Sequence, residues 1–205
     1  MLQAAELAVK AYTTSLPAEY VCITRGYDSQ AIIHDTGDRL DIAFRGSESV
    51  TDWVMNFMHW RTPFPVMYKV GVHAGFMRQY VAIRPDILRV VTRHKQILVT
   101  GHSLGGALAT LCAAELAVLL PETMVICYTF NAPRVGNIAF VERVGSLPNL
   151  RVYRINSCGD VVPCLPPYCG YVHTPALQEQ RIVGLAWYDV QGRHSMSRLL
   201  DVIKK

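Results

Sequence analysis

Along the chain, short runs rich in Val, Ile, Leu and Tyr alternate with longer stretches in which apolar residues recur every three or four positions. Ala31 to Ile33 and Leu40 to Phe44 flank Asp35-Thr36-Gly37-Asp38, a turn signal, and are predicted as a hairpin or as adjacent strands. Gln96 to Thr100, Met124 to Phe130 and Leu150 to Ile155 read as further strands of a sheet core. Between them lie helical stretches: Phe76 to Thr92, expected to break near Pro85; Leu104 to Leu120, stopped by Pro121; and Asn137 to Val144. A last helix is expected after His194. Met1 to Tyr12 is apolar but interrupted by Glu6 and Lys10, so it reads as an amphipathic first helix and not as a signal peptide.

Strands alternating with helices predict the α/β class, a mixed and mainly parallel sheet with helices on both faces. In such sheets functional groups collect at the carboxyl ends of the strands. No repeat, low-complexity tract or linker divides the 205 residues, a length that suits a single domain over 1–205.

Composition narrows the class further. Apolar residues make up 51% and charged residues 18%, a balance for a packed core and against disorder. The excess of 20 Lys and Arg over 16 Asp and Glu is scattered, which fits an ordinary solvated surface and argues against a nucleic-acid partner. No stretch approaches the roughly 20 apolar residues of a transmembrane segment. Without a recognisable leader, an intracellular location is the expectation unless a signal has been trimmed; oligomeric state is not legible.

Among the six cysteines, Cys112 and Cys127 lie in apolar runs where buried thiols are common. Cys158, Cys164, Cys169 and His173 loosely match a Cys₃His zinc spacing, but Asp160 and several prolines interrupt it and no helix-borne ligand pair is present, so no metal is expected. A disulfide bracing this loop through Cys158 and free thiols both stay open. His34, His59, His73 and His94 show no metal spacing and read as structural or exposed.

The chemistry concentrates at Gly101-His102-Ser103-Leu104-Gly105, a G-x-S-x-G motif. It follows the apolar run Ile97-Leu98-Val99 and opens the Ala- and Leu-rich stretch from Leu104, the strand–turn–helix that a nucleophile elbow requires. Glycines flank the serine because a Cβ would collide where strand and helix backbones crowd together. At a helix N-terminus, free N–H groups and the helix dipole stabilise developing negative charge, which makes the Leu104 N–H a candidate oxyanion donor. The alternative is a Ser that merely caps a closely packed helix.

Gly-His-Ser-Leu-Gly-Gly at 101–106, with Phe44-Arg45-Gly46-Ser47, Val72-His73-Ala74-Gly75-Phe76 and Asn131-Ala132-Pro133-Arg134-Val135-Gly136-Asn137, resembles the class 3 (fungal-type) lipase family. The matching segments run from about Ala31 to about His194. The resemblance implies an α/β-hydrolase fold, lipid acyl ester hydrolysis and no cofactor.

A serine nucleophile on this fold takes its acid and then its histidine from later in the chain. Asp160 follows the strand from Leu150, in a segment where similar lipases carry their acid, and is the candidate. Asp189 is the runner-up, in what reads as a polar turn, and Asp201 falls inside the last helix. His194, in Gly192-Arg193-His194-Ser195-Met196, resembles the family's histidine, whereas His173 reads as a satisfied structural histidine. His102 adjoins the nucleophile but points away on a tight turn and is expected to support the elbow. The resemblance places Ser47 as the second oxyanion donor, with Gly46 freeing the backbone before it.

After Ser47, Val50, Trp53, Val54 and Phe57 fall on one apolar helical face, with Ser49 and Asp52 as a loose capping box. In related lipases this segment is the lid; Met58, Trp60 and Phe64 would extend its apolar surface at a lipid–water interface. A fixed core helix reads equally well from amphipathicity. For the whole chain the alternatives are a phospholipase A1 or another acyl transferase or thioesterase, which use the same groups, and a non-catalytic lipase-like binding scaffold.

Overall fold

The computed structural model describes residues 1–26, 29–46, 60–91, 94–167, 170–176, 178–183 and 194–204. Among them run nine strands: β1 (Tyr20–Arg25), β2 (Ser29–Asp35), β3 (Arg39–Phe44), β4 (Arg61–Pro63), β5 (Gly71–His73), β6 (Gln96–His102), β7 (Met124–Phe130), β8 (Leu150–Ser157) and β9 (Gln178–Ile182). The described helices are α1 (Leu2–Lys10), α2 (Ala74–Val90), α3 (Leu104–Leu119), α4 (Ile138–Gly145) and α5 (Met196–Ile203).

Seven strands form one sheet in the order β1-β2-β3-β6-β7-β8-β9. The β1–β2 and β2–β3 pairs are antiparallel, and every pair from β3 to β9 is parallel. The small β4–β5 sheet is antiparallel and stands apart. This is the mainly parallel, two-faced α/β sheet that the alternation of patterns predicts. Successive residues of the central strands serve opposite faces: Ile97 and Val99 join the core under α2 and α3, while Leu98 joins the one under α1 and α5. The hairpin β2–β3 forms around the predicted turn, where Asp35 Oδ1 accepts from the Gly37 N–H at 2.8 Å.

Every residue of α3 from Leu104 to Ala117 is buried, which explains a helix that is apolar all round and needs no polar face. Its one acid, Glu115, accepts from the Tyr80 hydroxyl at 2.7 Å and from the Arg84 fork at 2.7 to 2.9 Å, so α2 supplies its partners.

Two expectations change. Helix α2 runs unbroken from Ala74 to Val90 with Pro85 inside it. Pro85 and Val81, whose carbonyl loses its i+4 donor, both lie on the exposed side of the helix, where water can replace the missing bond. Phe64 is not part of an exposed apolar surface: it is 1% exposed and packs edge-to-face on Phe140 at 5.6 Å. The edge strands β1 and β9 carry too few buried residues to show an apolar pattern, and the sequence reading passes over them. No described helix is long and apolar enough to cross a membrane.

Candidate active site

Strand β6 ends at His102, Ser103 follows with φ 58° and ψ −127°, and α3 begins at Leu104. A non-glycine residue in that region costs on the order of 1–3 kcal/mol and persists only where its surroundings hold it. Here they do. The Ser103 N–H donates to the Phe130 carbonyl of β7 at 2.9 Å, and the Ser103 carbonyl accepts from the N–H groups of Gly106 and Ala107 at 2.9 and 3.3 Å. A Cβ on Gly101 would strike the Gly105 backbone, one on Gly105 would strike the Phe44 carbonyl, and one on Gly106 would lie 2.6 Å from the Ala132 Cβ. The glycines therefore let β6, α3 and β3 close on one another, leaving the serine as the residue that bears the turn. Its side chain makes no capping bond to the helix, which removes the reading of Ser103 as a simple N-cap.

Strand β8 carries the chain to Ser157, next to Asn131 at the end of β7. Asn131 sits at φ 48°; its Oδ1 accepts from the Ser157 N–H at 2.7 Å and its Nδ2 donates to Ser157 Oγ at 3.1 Å. That pairing fixes the start of the loop to Asp160. Asp160 Oδ1 then accepts from the Val162 N–H at 2.9 Å, which leaves Oδ2 turned to His194 Nδ1 at 2.7 Å. His194, just ahead of α5, places Nε2 2.7 Å from Ser103 Oγ. An ionised carboxylate only accepts, so Nδ1 carries the proton and Nε2 is the lone-pair nitrogen facing the hydroxyl. The structure thus brings Ser103, His194 and Asp160 into one hydrogen-bonded line at the carboxyl ends of β6 and β8. The Ser103 residue is buried, as is the Asp160 side chain at 3% exposure, while His194 keeps 23%.

The other histidines separate from this line. His102 is buried, its Nδ1 lies 2.9 Å from the Tyr12 hydroxyl, and desolvation pushes its pKa down to about 3. His173 donates through Nε2 to the Pro163 carbonyl at 2.7 Å, and burial lowers its pKa to about 4. His73 is buried at the N-cap of α2 and stacks on Phe76 at 4.2 Å, and His94 pairs with Asp35 at 3.0 Å. His59 lies outside the described residues, as do Ser47, Val50, Trp53, Val54, Phe57, Met58 and Asp189. Asp201 is exposed on α5.

Cys112 and Cys127 are buried thiols whose ionisation burial opposes, Cys127 being pushed up to about 12. Cys158 and Cys164 are exposed free thiols lining a cavity of about 540 Å³ with Asp160 and Arg154; Cys169 lies outside the described residues. Among the described residues no three metal-ligating side chains come together. A second cavity of about 410 Å³ opens beside His194, lined by Val9, Tyr12, His102 and Met196 among others. Sequence reasoning passes over Tyr12 and over Asn131 as a brace. Asn at a strand end tolerates a positive φ and is a usable signal, but nothing near Tyr12 points to the site.

The family model described as Lipase (class 3) matches residues 42–169. A lipase of Rhizomucor miehei is 34% identical over 159 residues, covering 72% of this chain and 44% of its own length. Secreted mono- and diacylglycerol lipase 1 of Fusarium solani is 36% identical over 141 residues, covering 65% of this chain and 41% of its own. The chain therefore spans less than half the length of these relatives. The solved structure of Rhizomucor miehei triacylglyceride lipase superposes with a TM-score of 0.77 at 26% identity, covering 88% of this chain and 78% of that one.

Proposed function

The chain belongs to the class 3 lipase family, and on that premise we propose that it hydrolyses lipid acyl esters by two-step acyl transfer through Ser103, His194 and Asp160. The observation that carries this reading is the Asp160–His194–Ser103 line, 2.7 Å at each link, on a serine whose hydroxyl caps nothing.

His194 Nε2 takes the Ser103 hydroxyl proton as the oxygen attacks the ester carbonyl, and Asp160 stabilises the imidazolium through Nδ1–H. The tetrahedral oxyanion forms beside the first turn of α3, where Leu104 offers its N–H and Ser47 supplies the second donor; one such donor is worth about 10²–10³ in kcat. Collapse breaks the ester C–O bond, the leaving alcohol takes its proton from His194, and Ser103 holds the acyl group. Water, deprotonated by His194, attacks that ester, and the fatty acid leaves as Ser103 recovers its proton. Every proton and bond is accounted for by these groups and water.

Glycerolipids are the substrate class, with triacylglycerol first and phospholipids, monoacylglycerols and thioesters as competitors for the same groups. Trp60 and Tyr68, 75% and 81% exposed around the β4–β5 hairpin, suit contact with a lipid–water interface, where amphipathic aromatic rings settle. The test measures fatty-acid release from tri- and monoacylglycerols and phosphatidylcholine, with Ser103→Ala beside wild type and fluorophosphonate labelling of both. Wild type should label and turn over, and Ser103→Ala should do neither, losing about six orders of magnitude in kcat. A wild type that binds lipid without labelling would make the chain a lipase-like scaffold.

A further inference from the structure

We propose that Tyr12, just beyond α1, is a positioning residue that holds Gly46 in register with Ser103 by way of His102; the inference rests on the hydrolase reading above. The Gly46 N–H donates to the Tyr12 hydroxyl oxygen at 3.2 Å, and that hydroxyl lies 2.9 Å from His102 Nδ1. A backbone N–H only donates, so the Tyr12 oxygen accepts from Gly46, and a single hydrogen is shared between the Tyr12 hydroxyl and His102 Nδ1. That link forms with either tautomer of the neutral ring, and burial keeps His102 neutral, its pKa lowered to about 3. Neutrality serves a second end. The His102 and His194 rings are 4.7 Å apart, and a cation on His102 would oppose the imidazolium that turnover forms on His194.

The loop has no slack at this point. A Cβ on Gly46 would lie 2.7 Å from the His102 carbonyl oxygen and 3.3 Å from the Ser103 Cβ, so the backbone threads between Tyr12 and the elbow where only glycine fits. Ser47, the proposed donor, is the next residue. Tyr12 is itself held: the Arg45 guanidinium lies 5.8 Å over its ring, and α1 is tied to β6 by the Thr100 hydroxyl, which donates to the Ala4 carbonyl at 3.3 Å. The amino-terminal helix is thereby coupled to the geometry of a site 90 residues along the chain.

The experiment compares Tyr12→Phe, His102→Leu, His102→Asn and the Tyr12→Phe/His102→Leu pair with wild type. Tyr20→Phe is the control, because the Tyr20 hydroxyl meets Lys10 and not the site. The readouts are kcat and KM on a soluble p-nitrophenyl ester, the fluorophosphonate labelling rate of Ser103 and the thermal midpoint. Tyr12→Phe should lower kcat and the labelling rate together by about 10- to 100-fold, part of the loss from removing a whole oxyanion donor, with KM within about twofold. His102→Leu should match it, the pair should add little, and His102→Asn, whose amide can replace Nδ1 as hydrogen-bond partner in either sense, should recover most of the rate. Wild-type kcat in Tyr12→Phe, fully additive losses in the pair, or an equal loss in Tyr20→Phe overturns the assignment. A wild type that does not label overturns the hydrolase reading and the inference with it, an outcome distinct from labelling that Tyr12→Phe leaves unchanged.

Discussion

Which groups can donate and which can only accept decides the chemistry of individual residues here. Asp160 holds its carboxylate with one oxygen on the Val162 N–H and the other on His194, so the imidazole can present only its bare Nε2 to Ser103. Asp160→Asn keeps the shape but offers an N–H where an acceptor is needed. It should lower kcat by about four orders of magnitude while leaving the thermal midpoint nearly in place. Turnover near wild type in that variant would take Asp160 out of the mechanism. Ser103 is legible in the sequence because its motif, its strand and its helix are contiguous. Asp160 and His194 are legible only as candidates, since 91 and 34 residues separate the partners in the line. Tyr12 is not legible at all, because a tyrosine ending an amphipathic helix carries no mark of what it meets.

For whole elements, hydrophobic periodicity places the central strands and the helices to within a few residues, because each buries a regular set of side chains against a neighbour. It fails where burial is slight, at β1 and β9, and where a local rule meets a tolerant surface, at Pro85 in α2. Since Pro85 deletes one helical hydrogen bond on an exposed face, Pro85→Ala should stabilise the protein by about 1–3 kcal/mol, less the entropy returned to the unfolded chain. A urea midpoint at or below wild type would show that the helix does not bear this cost. The α2–α3 contact makes the opposite case. Glu115, 2% exposed at its side chain, depends on Arg84 and Tyr80, and Arg84→Ala should cost about 3 kcal/mol by stranding a buried carboxylate.

In the whole molecule, burial of ionisable rings ties stability to pH. His102 and His173 have folded-state pKa values lowered to about 3 and about 4 from the ordinary 6.5. Between pH 6.5 and about 4 the unfolded chain binds protons that the folded chain refuses, so stability falls on acidification, by up to about 2.7 kcal/mol per pH unit for two such groups. Urea midpoints from pH 7.5 to 4.5 should show that slope, and His102→Gln should remove roughly one proton of it. An unchanged slope would place His102 in contact with water. What the sequence alone determined is local: the α/β alternation, the elbow motif and the residue types able to act as nucleophile, acid and base, all readable because periodicity and steric demand act over neighbouring residues. What only the tertiary structure decided is proximity. The parallel order of β6, β7 and β8 sets their carboxyl ends side by side, and packing of α1 and α5 on one face brings Tyr12 and His194 to a serine reached from the middle of the chain. Those distances follow from burying both faces of one sheet, a condition on the whole chain that no segment carries by itself.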